Sequence, residues 1–403
     1  MRIIVYSHDA FGLGNIRRML AICQHLLTTI PELSILVLSG SPAIHSFRIP
    51  ERLDYIKLPC FGRDRNGKLG ARYLASDVSE TIHLRSHLIK TTIANFRPDL
   101  ILVDKKPHGL LDELKPALDY LKFISPETKL VLLLRDILDD PAKTIEDWQN
   151  QGYYQAVKAY YDRVLVVGMV DIFDLVQEYQ FPKDIAQKTR FCGYIRKPFQ
   201  SNDSASIRQE LGVDKQEKLV LVTPGGGGDG YQLVNTYLSA LEEISQHESV
   251  NSLIIFGSEM PQSEREDLAQ KVQQYSHVIA LDFTDNLMGY INASDLVVSM
   301  AGYNTITEIL SLRKKAVVVP RQHPSREQLI RSERMSNQGL FQMISSEQLT
   351  VSSLSEAVQT ELKNNHSNSF SPFTLDFNGL LKIEDEIGQL LYECRSPWNY
   401  LTA

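Results

Sequence analysis

Leu296–Gln328 reads LVVSMAGYNTITEILSLRKKAVVVPRQHPSREQ, and its punctuation decides the fold. Leu296–Met300 is a short apolar run, as expected of a strand covered on both faces. The turn Ala301-Gly302-Tyr303-Asn304 follows, with Asn304 placed to cap a helix. Thr305–Leu312 then brings Ile306, Ile309, Leu310 and Leu312 to one side at helical spacing. Ala316–Val319 is a second strand, stopped by Pro320. Strand, helix and strand in so short a length form a parallel, right-handed unit. Its crossover sets a glycine and backbone N–H groups at a helix N-terminus, a place that suits a phosphate. Glu308 lies one turn further in, where a carboxylate could accept from two ribose hydroxyls.

The same pattern recurs outward from this stretch. Upstream, the strand Leu219–Val222 runs into Thr223-Pro224-Gly225-Gly226-Gly227-Gly228-Asp229-Gly230 and the amphipathic helix Tyr231–Ile244. Four glycines between a buried strand and a helix let main-chain N–H groups approach a diphosphate without side-chain obstruction. Without Gly-Lys-Ser/Thr the run is not a nucleoside triphosphatase loop. Ser252–Phe256 and Val278–Leu281 are further strands. In the first half, Arg2–Ser7 is a strand and His8–Asn15 a turn with Gly12 and Gly14. Ile16–Leu27 is a helix and Ser34–Leu38 a strand. Strands at Leu100–Val103, Leu130–Leu134 and Arg163–Val167 continue the series. A third glycine is missing after Gly12-Leu13-Gly14, because Arg17 stands there, so a dinucleotide fingerprint is not met. The fold class is therefore α/β, with two facing Rossmann-like doubly wound domains and an interdomain cleft. The expected boundaries are 1–193, a hinge at 194–198, 199–380, and a final helix at 381–403 that packs back on the first domain, with Trp398 and Tyr400 pinning it.

Gly302-Tyr303-Asn304-Thr305, Glu308, Pro320-Arg321 and Glu327-Gln328, in this order, resemble the donor-site signature of the GT-B-fold nucleotide-sugar glycosyltransferases. The resemblance is to the group of the peptidoglycan lipid N-acetylglucosaminyltransferase and the galactolipid synthases. It extends over roughly Leu219–Leu340 and is weaker at the N-terminus. It implies transfer of a sugar from a nucleoside diphosphate donor, UDP-linked in this group, to an acceptor hydroxyl or amine. Gly225, Gly226, Gly227, Gly228, Gly302, Asn304, Thr305 and Arg321 would hold the diphosphate. Phe283, Leu287 and Met288 would line the base, or else Phe283 and Met288 are core. Glu308 would hold ribose, and Glu327 and Gln328 the sugar. No Asp-x-Asp is present, and the resemblance implies a reaction with no required cofactor or metal.

The first loop, Gly12, Gly14 and Asn15, would face the acceptor. Related loops often end in Gly-His, with the histidine as proposed general base. Here Asn15 stands at that position, and an amide cannot take a proton. His8 or Asp9, at a strand's carboxyl end, is then the candidate base. The alternative is that His8 caps the strand and Asp9 closes the turn. Asp104, Lys105, Arg135 and Asp136 are candidates by position alone. Gly62–Gly70, with Arg63, Arg65, Lys68 and nearby Arg72, reads as a mobile loop that could meet a phosphate or an anionic headgroup, or simply face solvent.

The 403 residues exceed one ordinary core. A net charge of −7 argues against non-specific nucleic-acid binding, which needs a basic face. Four scattered cysteines read as reduced thiols of a cytoplasmic protein. No apolar segment nears the ~20 residues that span a bilayer, which leaves peripheral membrane contact open. Two rival functions keep the same fold: a sugar-nucleotide 2-epimerase using His323 and Glu327, and a nucleotide-sugar-binding subunit that has lost its base.

Overall fold

The computed structural model describes residues 1–8, 14–63, 69–196, 204–246, 249–364 and 373–393. Asp9, Gly12, Arg65, Lys68, Lys197, Pro198, Cys394, Trp398 and Tyr400 lie outside the described residues. The chain divides into unit 1, Met1–Ile195 with Asp376–Ala403, and unit 2, Arg196–Leu375.

Unit 1 runs β1 (Arg2–Ser7), α1 (Gly14–Thr29), β2 (Ser34–Ser39), β3 (Leu53–Lys57), β4 (Phe61–Arg63), β5 (Leu69–Ala71), α2 (Val78–Phe96), β6 (Leu100–Asp104), α3 (Lys115–Ile124) and β7 (Lys129–Arg135). It continues with α4 (Pro141–Asn150), α5 (Tyr153–Tyr160), β8 (Arg163–Val167), α6 (Leu175–Glu178), α7 (Lys183–Ala186) and β9 (Thr189–Phe191). The main sheet has the order β3-β2-β1-β6-β7-β8-β9, with every pairing parallel. Ile3, Ile4 and Val5 are fully buried in β1, an interior strand between β2 and β6, which explains the unbroken apolar run.

Unit 2 runs α8 (Ser204–Glu210), β10 (Lys218–Thr223), α9 (Tyr231–Ser245), β11 (Val250–Ile255), α10 (Gln262–Val272), β12 (Val278–Leu281), α11 (Leu287–Ala293) and β13 (Leu296–Ser299). After these come α12 (Tyr303–Ser311), β14 (Lys315–Val318), α13 (Glu327–Asn337), β15 (Gln342–Met343) and α14 (Val351–Lys363). Its parallel sheet has the order β12-β11-β10-β13-β14-β15. Val220, Val222, Val234, Val298, Val317 and Leu354 sit in its core.

The chain re-enters unit 1 at Asp376 and closes it with α15 (Gly379–Glu393). Ile383 and Ile387 are fully buried there, while Glu384 meets His25 of α1 at 2.7 Å and Glu386 meets Arg163 at 3.1 Å.

Two expectations are corrected. The Gly62–Gly70 stretch is not a loop throughout, because β4 and β5 pair antiparallel with Gly62 opposite Gly70. Three-residue strands are too short for alternation to show in sequence. Asn304 is not the N-cap of α12. The cap is Gly302, and no side chain closes it. The helix winds from Tyr303 because that ring is buried under the Arg331 guanidinium, 5.7 Å away.

Candidate active site

In unit 2, β10 has β11 on one side and β13 on the other, so successive crossovers diverge at its carboxyl end. Ligands of doubly wound sheets bind in that crevice. The glycine run leaves β10 and the Gly302 turn leaves β13. The two strands are in register from Val220–Leu296 to Thr223–Ser299. Ser299 Oγ donates to the Thr223 carbonyl at 2.6 Å, which ties the two exits together.

The four glycines divide into two kinds. Gly225 and Gly227 have φ of +84° and +91°. A Cβ on Gly227 would stand 2.2 Å from the Phe256 carbonyl oxygen, and one on Gly225 would stand 3.2 Å from Thr305 Oγ1. These two are demanded by the fold. Gly226 and Gly228 are exposed, and a Cβ on Gly228 would meet nothing closer than 3.6 Å. The Gly226 carbonyl accepts from the Glu259 N–H at 2.8 Å, and a Cβ on Gly226 would stand 3.0 Å from Glu259 Oε2.

Arg321 gathers the remaining candidates. Its guanidinium reaches Asp229 at 3.1 Å and Glu327 at 3.4 Å, and its backbone N–H donates to Gln328 Oε1 at 3.2 Å. Behind it, Arg331 is fully buried, donates to the Ala301 carbonyl at 2.8 Å, and comes within 3.7 Å of Glu327. A cavity of about 280 Å³, bordered by Asp229, Gln232, Met300, Arg321, His323 and Glu347, opens beside this group. Thr305 and Glu308 are buried on α12, and Asn304 is half-buried in its first turn. Helix α11 packs beside α12. Asn286 caps α11 by accepting from the Gly289 N–H at 3.3 Å. Met288 is buried and Leu287 half-buried, whereas Phe283 is 48% exposed and so is no core residue.

Sequence reasoning assigned no role to Asp229 or Arg331. The pair Asp229–Arg321 joins residues 92 apart, which no local pattern reveals. The Glu327–Arg331 pair has i,i+4 spacing and was legible as a helix ion pair.

In unit 1, His8 directly follows the interior strand β1, with Nδ1 buried and without a hydrogen-bond partner. Burial first, then Lys105, Lys106, Arg85 and Arg135, hold its pKa well below 6.5. Asn15 is occupied: its amide N–H donates to the His8 carbonyl at 2.8 Å and its oxygen accepts from Arg18 at 3.2 Å. Arg18 in turn pairs with Asp104 at 2.8 Å. Asn15 therefore ties the start of α1 to the end of β1, as an amide can and a base need not. Lys105 has φ +73°, and the Lys106 N–H donates across it to the Asp104 carbonyl at 2.9 Å. That is the strained three-residue turn, at a strand end where sites gather. Asp136 is buried, and Gly168 lies so close that a Cβ there would stand 2.6 Å from the Asp136 Cβ.

Residues 219–373 match the glycosyltransferase family 28 C-terminal domain. The chain is a GT-B protein resembling the family 28 glycosyltransferases. A UDP-N-acetylglucosamine–N-acetylmuramyl-(pentapeptide) pyrophosphoryl-undecaprenol N-acetylglucosamine transferase of Lactococcus lactis is 27% identical over 194 residues, 48% of this chain and 51% of that protein. The chain spans about half the length of the curated relatives it matches. Among solved structures, the glycotransferase of kitacinnamycin shares the GT-B fold at TM-score 0.62 and 12% identity, covering 97% of this chain and 99% of its own. A putative UDP-N-acetylglucosamine 2-epimerase from Listeria monocytogenes shares it at TM-score 0.64 and 13% identity, covering 97% of each chain. The family 28 match begins at β10 and so contains the whole unit 2 site.

The depressed pKa of His8 has a testable sign. Above pH ~6.5 His8 is neutral both folded and unfolded and contributes nothing to pH dependence. Below it the unfolded chain takes a proton that the folded His8 refuses, so stability falls with pH, by up to about 1.4 kcal/mol per unit. His108 is shifted in the same direction by burial and adds to the slope. Thermal melts from pH 7.5 to 5.0 should show the wild type losing more stability on acidification than His8→Gln. Parallel curves would refute this burial of a neutral imidazole.

Proposed function

We propose that this protein transfers a sugar from a UDP-linked donor to an acceptor hydroxyl or amine. The observation that carries the reading is the junction of the glycine run and the Gly302 turn on adjacent strands of the unit 2 switch point, with Arg321 and Glu327 beside them. In this reading Gly226, Gly228 and the N-terminus of α12 meet the diphosphate with main-chain N–H groups, and Arg321 adds the cation. Glu308 takes the ribose, Phe283 and Leu287 flank the base, and Glu327 and Gln328 take the sugar. The leaving diphosphate is then neutralised without a required metal or other cofactor. His8 or Asp9 accepts the acceptor's proton, with Asn15, Gly14 and Gly12 shaping that loop.

Unit 1 exposes Tyr73 and Leu74 next to Arg72, and Leu84 and Leu88 on α2, a surface fit for peripheral membrane contact and hence for a lipid-borne acceptor. The buried thiols Cys23, Cys60 and Cys192 fit a cytoplasmic setting. No helix among the described residues is long and apolar enough to cross a membrane.

The test is a panel of UDP-glucose, UDP-galactose, UDP-N-acetylglucosamine and UDP in thermal-shift and turnover assays, with and without EDTA. A donor at a hundred times its Kd should stabilise the fold by about 2.7 kcal/mol. Turnover should survive EDTA, and His8→Ala or Asp9→Ala should reduce it. A panel with neither shift nor turnover would overturn the proposal. One observation favours a second reading, 2-epimerisation of the donor: His323 borders the cavity beside Arg321. An epimer formed from donor alone would establish that reading instead.

A further inference from the structure

We infer that Arg331 is the positioning residue of the donor-sugar subsite, acting through Glu327; this rests on the proposed donor role of unit 2. Arg331 lies on the second turn of α13, is 0% exposed, and touches no substrate surface. A buried guanidinium is costly, and an apolar side chain of like volume in its place is often neutral or stabilising. What it touches explains its presence. Its Nη1 donates to the Ala301 carbonyl at 2.8 Å, one residue before the Gly302 turn. Its Nη2 lies 3.7 Å from Glu327 Oε2. Its plane covers the ring of Tyr303, the first residue of α12, at 5.7 Å.

These contacts lie at the start of α12 and on α13, two elements that carry candidate donor-site residues. One guanidinium thereby fixes the entry of α12, which faces the diphosphate, against the first turn of α13, which carries the sugar contact. Glu327 is held from the other side by Arg321 at 3.4 Å. Flanked by two guanidinium groups, its carboxylate accepts hydrogen bonds only, so it selects sugar hydroxyl or amide N–H donors. Arg331 is thus tied to the sugar through Glu327 and to the diphosphate through Ala301.

These two ties separate in a double-mutant cycle of R331M, E327Q and R331M/E327Q. The measurements are UDP affinity by calorimetry, and KM and kcat with whichever of UDP-glucose, UDP-galactose and UDP-N-acetylglucosamine the wild type uses. E327Q should leave UDP affinity within about twofold and raise the sugar-nucleotide KM about tenfold. R331M should weaken UDP about threefold but the sugar nucleotide about thirtyfold, and that excess should vanish in the E327Q background. A merely structural Arg331 would weaken UDP and the sugar nucleotide alike, in either background, and that result overturns the inference. Should R331M fail to fold, R331K, which keeps the cation but not the fork, gives the same comparison. A wild type that binds UDP and turns over a sugar nucleotide while R331M shows equal losses removes this inference alone. A wild type that does neither removes the functional reading and this inference with it.

Discussion

Gly227→Ala is expected to lower the melting temperature by roughly 6–12 °C and to reduce UDP affinity at least about tenfold. The residue sits at φ +91°, where an L side chain is strained by ~1–3 kcal/mol. The added methyl would also stand 2.2 Å from the Phe256 carbonyl oxygen, which is backbone and cannot swing aside. The glycine run and the turn after β11 would have to part. That turn is itself tight: a Cβ on Gly257, at φ +94°, would stand 2.4 Å from the Gly225 carbonyl oxygen. Gly228→Ala is the control, since its Cβ meets nothing within 3.6 Å. It should melt within about 2 °C of wild type while weakening UDP, because its exposed main chain is left for the ligand. A Gly227→Ala protein with unchanged melting and binding would show that this loop is not held as described.

The second large effect lies in unit 1. Arg85 is 2% exposed and makes a two-pronged contact with Glu113, Nε to Oε2 at 2.5 Å and an Nη to Oε1 at 2.6 Å. Its other Nη donates to the Pro59 carbonyl at 2.6 Å. Glu113 also accepts from the Tyr6 hydroxyl at 2.6 Å, and that hydroxyl accepts from the Leu110 N–H at 2.9 Å. Burial and the Glu113 carboxylate push the Tyr6 phenol well above its usual range. Glu113→Ala would strip the guanidinium of its counter-ion and the phenol of its acceptor in one step. The expected cost is about 3–5 kcal/mol, read as a fall in the urea midpoint with an unchanged slope. The double variant R85M/E113L should recover most of it, because two apolar groups leave no orphaned charge. A loss under ~1 kcal/mol for Glu113→Ala would mean that water enters this network. The consequence reaches the candidate site as well, since Leu110 lies on the connection that starts from Asp104 and Lys105.

Much of this architecture was readable before any coordinates. Arg2–Ser7 and Arg163–Val167 are strands at the residues their apolar runs predict, because a strand buried on both faces has no competing pattern, and the edge strand Val278–Leu281 also falls where its apolar run places it. The helix at Tyr231 also begins where the glycines stop. The short hairpin at Phe61–Ala71 stayed hidden because its pairing is set by tertiary contact and not by period. Asn304 misled for a similar reason: its type favours a cap, but burial of Tyr303 decided where the helix starts. At the site, the glycine run, Gly302, Thr305, Arg321, Glu327 and Gln328 come together as their order implied. What sequence could not show was which glycines are structural. Gly227 is required by a carbonyl on another loop, and that loop lies 29 residues downstream, at Phe256. Asn15 looked like a lost base, yet its two hydrogen bonds, to the His8 carbonyl and from Arg18, give it a structural place that its residue type alone could not reveal.

The return of the chain to unit 1 has a bearing on how the molecule is made. The Tyr194 N–H donates to the Asp376 carbonyl at 2.7 Å, and Ile195 bridges Asn378, so the strand of chain leaving unit 1 lies against the strand coming back. Unit 2 is therefore threaded through unit 1 as an inserted cassette. A ribosome delivers all of unit 2 before it delivers α15, whose Ile383 and Ile387 fill unit 1. The module begun first is finished last, and unit 2 can reach its native state while unit 1 still waits for a helix.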